Sequence, residues 1–205
     1  MSSERVATAR QWMDEFLVMS HPDLGRAGDV CPFMARALRL DLVDLVPFDA
    51  TAGEEEFAGL ARELRDGLEK RAEGVGNLRM YLATVIVPHG LPDDAMRTMV
   101  ERVQIGLKAE FVERGLMIGE FWPGHSGAGL HNVDFRPLAA PLPMLAMRHM
   151  VLTDLAFLSG DHVPDAEQVF YLGHFRRIFA AQLTGSWAAK LDAAEEGAGR
   201  AVASA

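Results

Sequence analysis

Met144-Leu145-Ala146-Met147-Arg148-His149-Met150-Val151-Leu152 is the stretch that decides the fold. Read two residues at a time, one side carries Leu145, Met147, His149 and Val151, the other Ala146, Arg148, Met150 and Leu152. Both sets are largely apolar, the pattern of an interior strand covered on both faces. Such a strand needs neighbours on each side and helices above and below. Outward from it, residues 116–121 read as strand after Gly115 ends a helix. Residues 78–87 are dense in β-branched and aromatic residues and close on Pro88-His89-Gly90, a strong strand signal. Residues 40–47 alternate weakly and supply a fourth strand.

Helices fill the intervals. Trp12, Phe16 and Met19 share one face of a helix expected over 3–19, and His21-Pro22-Asp23 with Gly25 and Gly28 breaks it. A short helical turn after Pro32 carries Phe33, Ala37 and Leu38. Thr51-Ala52-Gly53-Glu54 has capping-box spacing and opens a helix with Phe57, Leu60, Leu64 and Leu68 on one stripe. Met96, Met99, Val100, Val103, Leu107 and Phe111 mark a long amphipathic helix capped by Asp93 or Asp94. Residues 153–158 read as a helical turn, and a last helix runs from Pro164 to Leu191. The expected fold is α/β (α+β): a single mixed sheet of about four strands flanked by four main helices. One globular domain is expected over 1–192, with a flexible tail over 193–205.

Composition narrows the function. The 205 residues carry a formal net charge of −9, and no basic run exceeds Arg176-Arg177, so no nucleic-acid partner is expected. Nor is a membrane: no stretch approaches the ~20 apolar residues of a span, and prolines break the most apolar one, 137–147. The N-terminus lacks the pattern of an export signal. The single cysteine, Cys31, forms no internal disulfide and fits a reducing cytoplasm. The partners expected are a small carboxylate-bearing molecule and a second copy of the chain in a homodimer.

Between the strands at 116–121 and 144–152 lie about 20 residues that follow neither period, and loops of that length in a compact domain are functional or mobile. The segment and its flanks hold Glu120, His125, His131, Asp134, Arg136, Arg148 and His149 among glycines and prolines. Glu120, His125 and His131 are a candidate divalent-metal set, although the spacing matches neither the metalloprotease pair nor a zinc finger. The alternative is loop histidines that bond a substrate or face solvent. Arg148, among apolar neighbours, needs an anionic partner. With Arg136 it is a candidate to grip a substrate carboxylate or a haem propionate through the guanidinium fork, or else to bridge internally to Glu120, Asp134 or Asp154. Cys31-Pro32 offers a thiolate for haem iron, or a small buried apolar residue. His149 on its strand, and His174 between Phe170 and Ile178 on the last helix, are candidate axial ligands or core-edge histidines. The expectation joining these is that the loop and the strand after it wall one cavity, where His131, Arg136, Arg148 and His149 converge.

At His21-Pro22-Asp23-Leu24-Gly25-Arg26, Cys31-Pro32-Phe33, Gly115-Leu116-Met117-Ile118-Gly119-Glu120-Phe121, Phe135-Arg136-Pro137-Leu138 and Pro143-Met144-Leu145-Ala146-Met147-Arg148-His149-Met150, the chain resembles an uncharacterised bacterial family whose members lie near genes for specialised metabolism. The likeness covers residues 21–158. More distantly, the chain is similar to the YqcI/YcgG family of small haem-dependent enzymes that hydroxylate guanidine nitrogens. The shared features are domain size, an early Cys-Pro-Phe after the first helix and a late strand with arginine. That family's arginine-rich strand is missing. The likeness implies a small haem-dependent oxygenase or redox enzyme acting on an amino-acid-like metabolite. His149 or His174 (or Cys31) would ligate iron, Arg136 and Arg148 would hold carboxylates, and His125 or His131 would shape the distal side. The alternative is a non-catalytic ligand-binding or accessory protein using the same loop.

Overall fold

The computed structural model describes residues 2–160 and 162–204. They divide into two compact units: the chain up to Lys108 with Ile118–His149, and Ala109–Met117 with the chain from Met150 onward.

A four-stranded mixed sheet of order β1-β2-β4-β3 is formed by β1 Val43–Asp49, β2 Ala83–His89, β3 Leu116–Phe121 and β4 Met144–His149, all of it in the first unit but the first two residues of β3. β1 and β2 run parallel, from Val43↔Ala83 to Asp49↔His89. β4 is antiparallel to β2, from Ala83↔Arg148 to Ile86↔Leu145. The interior position of β4 follows from its two apolar faces, as its sequence implies. β2 is as deeply buried: Val85, Ile86 and Val87 are almost sealed from solvent. The parallel pair requires a crossover, provided by α3 Glu54–Val75, whose Phe57 packs on Phe48 of β1 with ring centroids 5.0 Å apart. Helix α1 Ser2–Trp12 packs on β1 and β2. A π-helical turn, Met13–Leu17, continues it, so the helix expected over 3–19 is two pieces. α2 Met34–Arg39 and α4 Asp93–Glu113 follow the expected order.

Two local expectations are corrected. Thr51 does not cap α3. A 3₁₀ turn over Ala50–Ala52 removes it from the cap position, which Gly53 takes without a side-chain bond. The Thr51 hydroxyl and N–H instead donate to Asp49 Oδ1 at 2.7 and 3.0 Å, and these bonds hold the Asp49 carboxyl below the usual carboxylate range. Residues 78–81 belong to a 3₁₀ turn, Gly76–Tyr81, and the strand starts only at Ala83.

The second unit contains α5 Leu155–Leu158, α6 Asp165–Phe179 and α7 Gly185–Ser204. The turn before α5 is tied by Asp154, 1% exposed, whose Oδ2 accepts the Val151 N–H at 2.8 Å. The single last helix expected from Pro164 to Leu191 is broken into α6 and α7, and Gly185 at φ +53° marks the break. Residues 193–204, expected as part of a flexible tail over 193–205, form the second half of α7, and Ala205 lies outside the described residues. Leu191, Ala194 and Ala198 share one stripe of that helix and pack in the cluster of Tyr171, Leu172 and Phe175. Arg176 fastens the same helix through Glu195 at 2.8 Å and Asp192 at 2.5 Å, an arrangement that raises the guanidinium pKa further. An Ala-rich sequence has high helix propensity and needs only such a narrow stripe to dock. No helix among the described residues is long and apolar enough to cross a membrane.

Candidate functional site

The long segment between β3 and β4 is a shaped loop. Its neck is closed where Ala140 N–H donates to Trp122 O at 3.2 Å and Trp122 bridges Ala139. Inside, Gly129 N–H donates to Phe135 O at 2.9 Å and Phe135 N–H to Asn132 O at 3.2 Å. The loop then docks on the turn that ends the first helical segment. Asn132 Nδ2 donates to Asp23 O at 2.8 Å, and Gly25, at φ +75°, lies so near His131 that a Cβ there would stand 2.5 Å from its carbonyl oxygen.

Between these walls lies an open cleft of about 560 Å³ lined by Phe16, His21, Asp23, Asn132, Asp134, Phe135, Arg136 and Ala139, within the usual size range for small-molecule sites. Arg136 is exposed, and its Nη1 donates to the Val133 and Phe135 carbonyls, the latter at 3.1 Å. Backbone oxygens orient the guanidinium without neutralising it, and no carboxylate among the described residues pairs with it. Asp134 and Asp23 bring two exposed carboxylates to the same cleft. The His21 ring lies 4.9 Å from Phe135 and 6.2 Å from Phe16. Its Nδ1 accepts the Asp23 N–H at 3.1 Å, which fixes the neutral tautomer with hydrogen on Nε2. The cleft therefore offers one cation, one neutral N–H donor, two anions and an aromatic wall.

Of the residues anticipated from sequence, the cleft gathers Arg136 and Asp134. His131 lies on the adjoining turn, but it is exposed and meets Gly25 through its backbone and Cβ. His125, 8% exposed, stacks on Trp122 at 4.1 Å and accepts the Gly127 N–H on Nδ1 at 2.9 Å. Its Nε2 stands 3.6 Å from Glu120 Oε1 and is buried without a hydrogen-bond partner. Nδ1 as acceptor puts the proton on Nε2, the wrong tautomer for a metal ligand at that atom. Among the described residues no three His, Cys, Asp or Glu side chains assemble as a metal site, so the Glu120–His125–His131 set does not form.

Arg148 and His149 do not share this cleft. The loop runs into Met144, the first residue of β4, whereas these two are its last, roughly 13 and roughly 17 Å further along at about 3.3 Å per residue. Arg148 donates to His149 O at 3.0 Å and lies 6.0 Å from the Phe33 ring. Burial pushes the His149 imidazole pKa down, with the Leu68 backbone opposing, Arg79 lowering and Glu69 raising it. His149 Nε2 is buried without a partner. Cys31 is half-buried against the core of the first unit, its N–H given to Leu17 O at 2.9 Å, and behaves as a small apolar residue. In the second unit, His174 packs on Phe170 at 4.5 Å, and its Nδ1 lies 3.0 Å from Arg177 Nη2. Arginine can only donate, so Nδ1 accepts and Nε2 carries hydrogen. Of the two histidines anticipated as iron ligands, His149 has a buried nitrogen without a hydrogen-bond partner, whereas His174 takes the Arg177 guanidinium on Nδ1.

His21, Asp23 and Asn132 escape a sequence reading that treats them as helix-breaking and loop residues. The available signal is a polar side chain two residues before a backbone N–H it can accept, as in His21/Asp23 and Asn132/Asp134.

Fold and cleft together define a small mixed α/β protein whose longest loop forms a polar, partly aromatic site. The chain belongs to the family described as Domain of unknown function (DUF6875), whose model matches residues 6–190. No curated protein and no solved structure matches it.

Proposed function

We propose that the protein binds a small amino-acid-like metabolite in the cleft between the His21–Gly25 turn and the loop leading to β4. The carrying observation is Arg136, a guanidinium oriented by backbone carbonyls and left without a carboxylate among the described residues. A ligand carboxylate completes it through the planar fork, and the His21 Nε2–H offers a second donor. Asp23 and Asp134 suit the ammonium pole, while Phe16, Phe135 and Ala139 accept an apolar side chain. This supports the binding or accessory reading over an oxygenase that holds iron and substrate together, because His149 lies at the far end of β4. Titration calorimetry with a panel of amino acids, their deaminated acids and their decarboxylated amines tests it. Binding of an amino acid that weakens at least about tenfold when either pole is removed is expected. Absence of binding by every compound with a carboxylate would end the reading.

A second reading, haem held by His149, is favoured by that residue's buried, unpartnered Nε2 and by the burial that keeps the ring neutral. Neutral imidazole is the form that ligates iron, and the donor therefore fits the group. Haem so held would supply redox or oxygen chemistry. Protein produced with haem precursor should then keep a Soret band through desalting. The band should vanish in His149→Ala and persist in His174→Ala. No retained band in the parent protein rejects this second reading.

A further inference from the structure

The apolar part of the cleft is built from rings. Of the described residues that line it, Phe16, Phe135 and Ala139 are apolar, and Ala139 adds only a methyl group. The His21 imidazole closes a triangle with the two phenyl rings. Its centroid lies 4.9 Å from that of Phe135 and 6.2 Å from that of Phe16, and the phenyls themselves are 6.2 Å apart. At such spacings aromatic rings attract one another through their quadrupoles. No branched aliphatic side chain stands among the described lining residues.

Of the two phenyl rings, Phe16 has the more surface to offer a ligand. It is half-buried, whereas Phe135 is 6% exposed. Trp12 stacks on Phe16 at 5.9 Å with the planes 22° apart, and Trp12 in turn meets Phe121 of β3 edge-on at 5.4 Å. These rings pack against the core cluster of the first unit, so Phe16 is braced and needs little ordering when a ligand arrives.

The charged groups stand beside the rings. Asp134 and Arg136 flank Phe135 in the chain. A ligand held by its ammonium and carboxylate therefore starts its side chain at Phe135, with Phe16 next at 6.2 Å. A ring gains there what an aliphatic chain of equal size does not. It makes edge-to-face or offset contacts in addition to being buried, and it brings only two torsions to be ordered. A cationic side chain also gains from aromatic faces. The carboxylate left to receive it, however, is Asp23, whose side chain is 71% exposed, and so solvated an ion pair adds little.

We propose that the cleft selects an amino acid with an aromatic side chain, and that Phe16 is the residue that reads the ring. This selectivity rests on the binding reading above.

Calorimetry with phenylalanine against cyclohexylalanine isolates the ring, because the two match in shape and the saturated one is the more hydrophobic. Phenylalanine should bind about three- to tenfold tighter than cyclohexylalanine, and tighter than leucine and lysine by at least as much. Phe16→Leu keeps an apolar side chain and removes the ring, so the preference for phenylalanine over cyclohexylalanine should shrink to within about twofold. Equal affinity for those two ligands, or leucine or lysine as the tightest ligand, overturns the selectivity while leaving capture of an amino acid by its two poles intact. A preference undiminished in Phe16→Leu overturns the assignment to Phe16. If no amino acid binds, the binding reading falls and the selectivity falls with it. The comparison of ligands uses the parent protein, so it decides even where Phe16→Leu does not fold.

Discussion

Gly25→Ala should cost the fold about 2–4 kcal/mol and dismantle the cleft. Two independent penalties meet at this position. The backbone is left-handed at φ +75°, which costs an ordinary L-residue roughly 1–2 kcal/mol. The added Cβ would also stand 2.5 Å from the His131 carbonyl oxygen and 2.8 Å from its carbon. Both are backbone atoms, and no side-chain rotation relieves the clash. The adjacent Asn132–Asp23 bond, which joins the two walls, has to lengthen or break. Gly28→Ala is the control: φ is +92° but the nearest heavy atom is a side-chain nitrogen, Arg26 Nη1 at 3.6 Å, so only the backbone penalty of roughly 1–2 kcal/mol applies. Urea midpoints of the two variants measure the difference. Equal losses would mean that the docking of His131 on Gly25 contributes nothing to stability.

The same contact shows what a sequence reading reaches and where it stops. The interior position of β4 was legible because side-chain alternation is a local property and both its faces are apolar. The long loop was legible as a functional candidate because it fits neither structural period. Its partner was not: the cleft exists only where the His131 backbone meets Gly25, 106 residues earlier in the chain, and no local pattern encodes that approach. Arg136 and Arg148 illustrate the same limit. Both are arginines close to apolar residues in the sequence, yet Arg136 lines the cleft from the loop before β4, whereas Arg148 is the last residue but one of that strand and is not part of the cleft lining. The helix over residues 193–204 was hidden for another reason. A narrow Ala stripe resembles low complexity until the facing Phe175 and Tyr171 are in view.

Arg136→Ala should weaken binding of the proposed amino-acid ligand about 30- to 100-fold, the largest loss expected of any side chain lining the cleft. The effect should depend on the ligand. The backbone carbonyls of Val133 and Phe135 already hold the guanidinium in place, so little ordering cost accompanies ligand capture. Removing the side chain takes away the charge and the preorganisation together. Arg136→Lys restores charge without the planar fork and should recover only part of the loss. The decarboxylated amine makes no demand on Arg136, so its affinity should be unchanged or slightly higher in Arg136→Ala, where a repelling cation is gone. Asp134→Asn should behave in the opposite sense, weakening the amine and the amino acid while sparing the deaminated acid. Calorimetry on the three ligands against the three variants gives a cycle in which each pole is assigned to one side chain. Equal losses for all three ligands in Arg136→Ala would mean that the arginine supports the loop through Val133 and Phe135 and takes no part in holding a carboxylate.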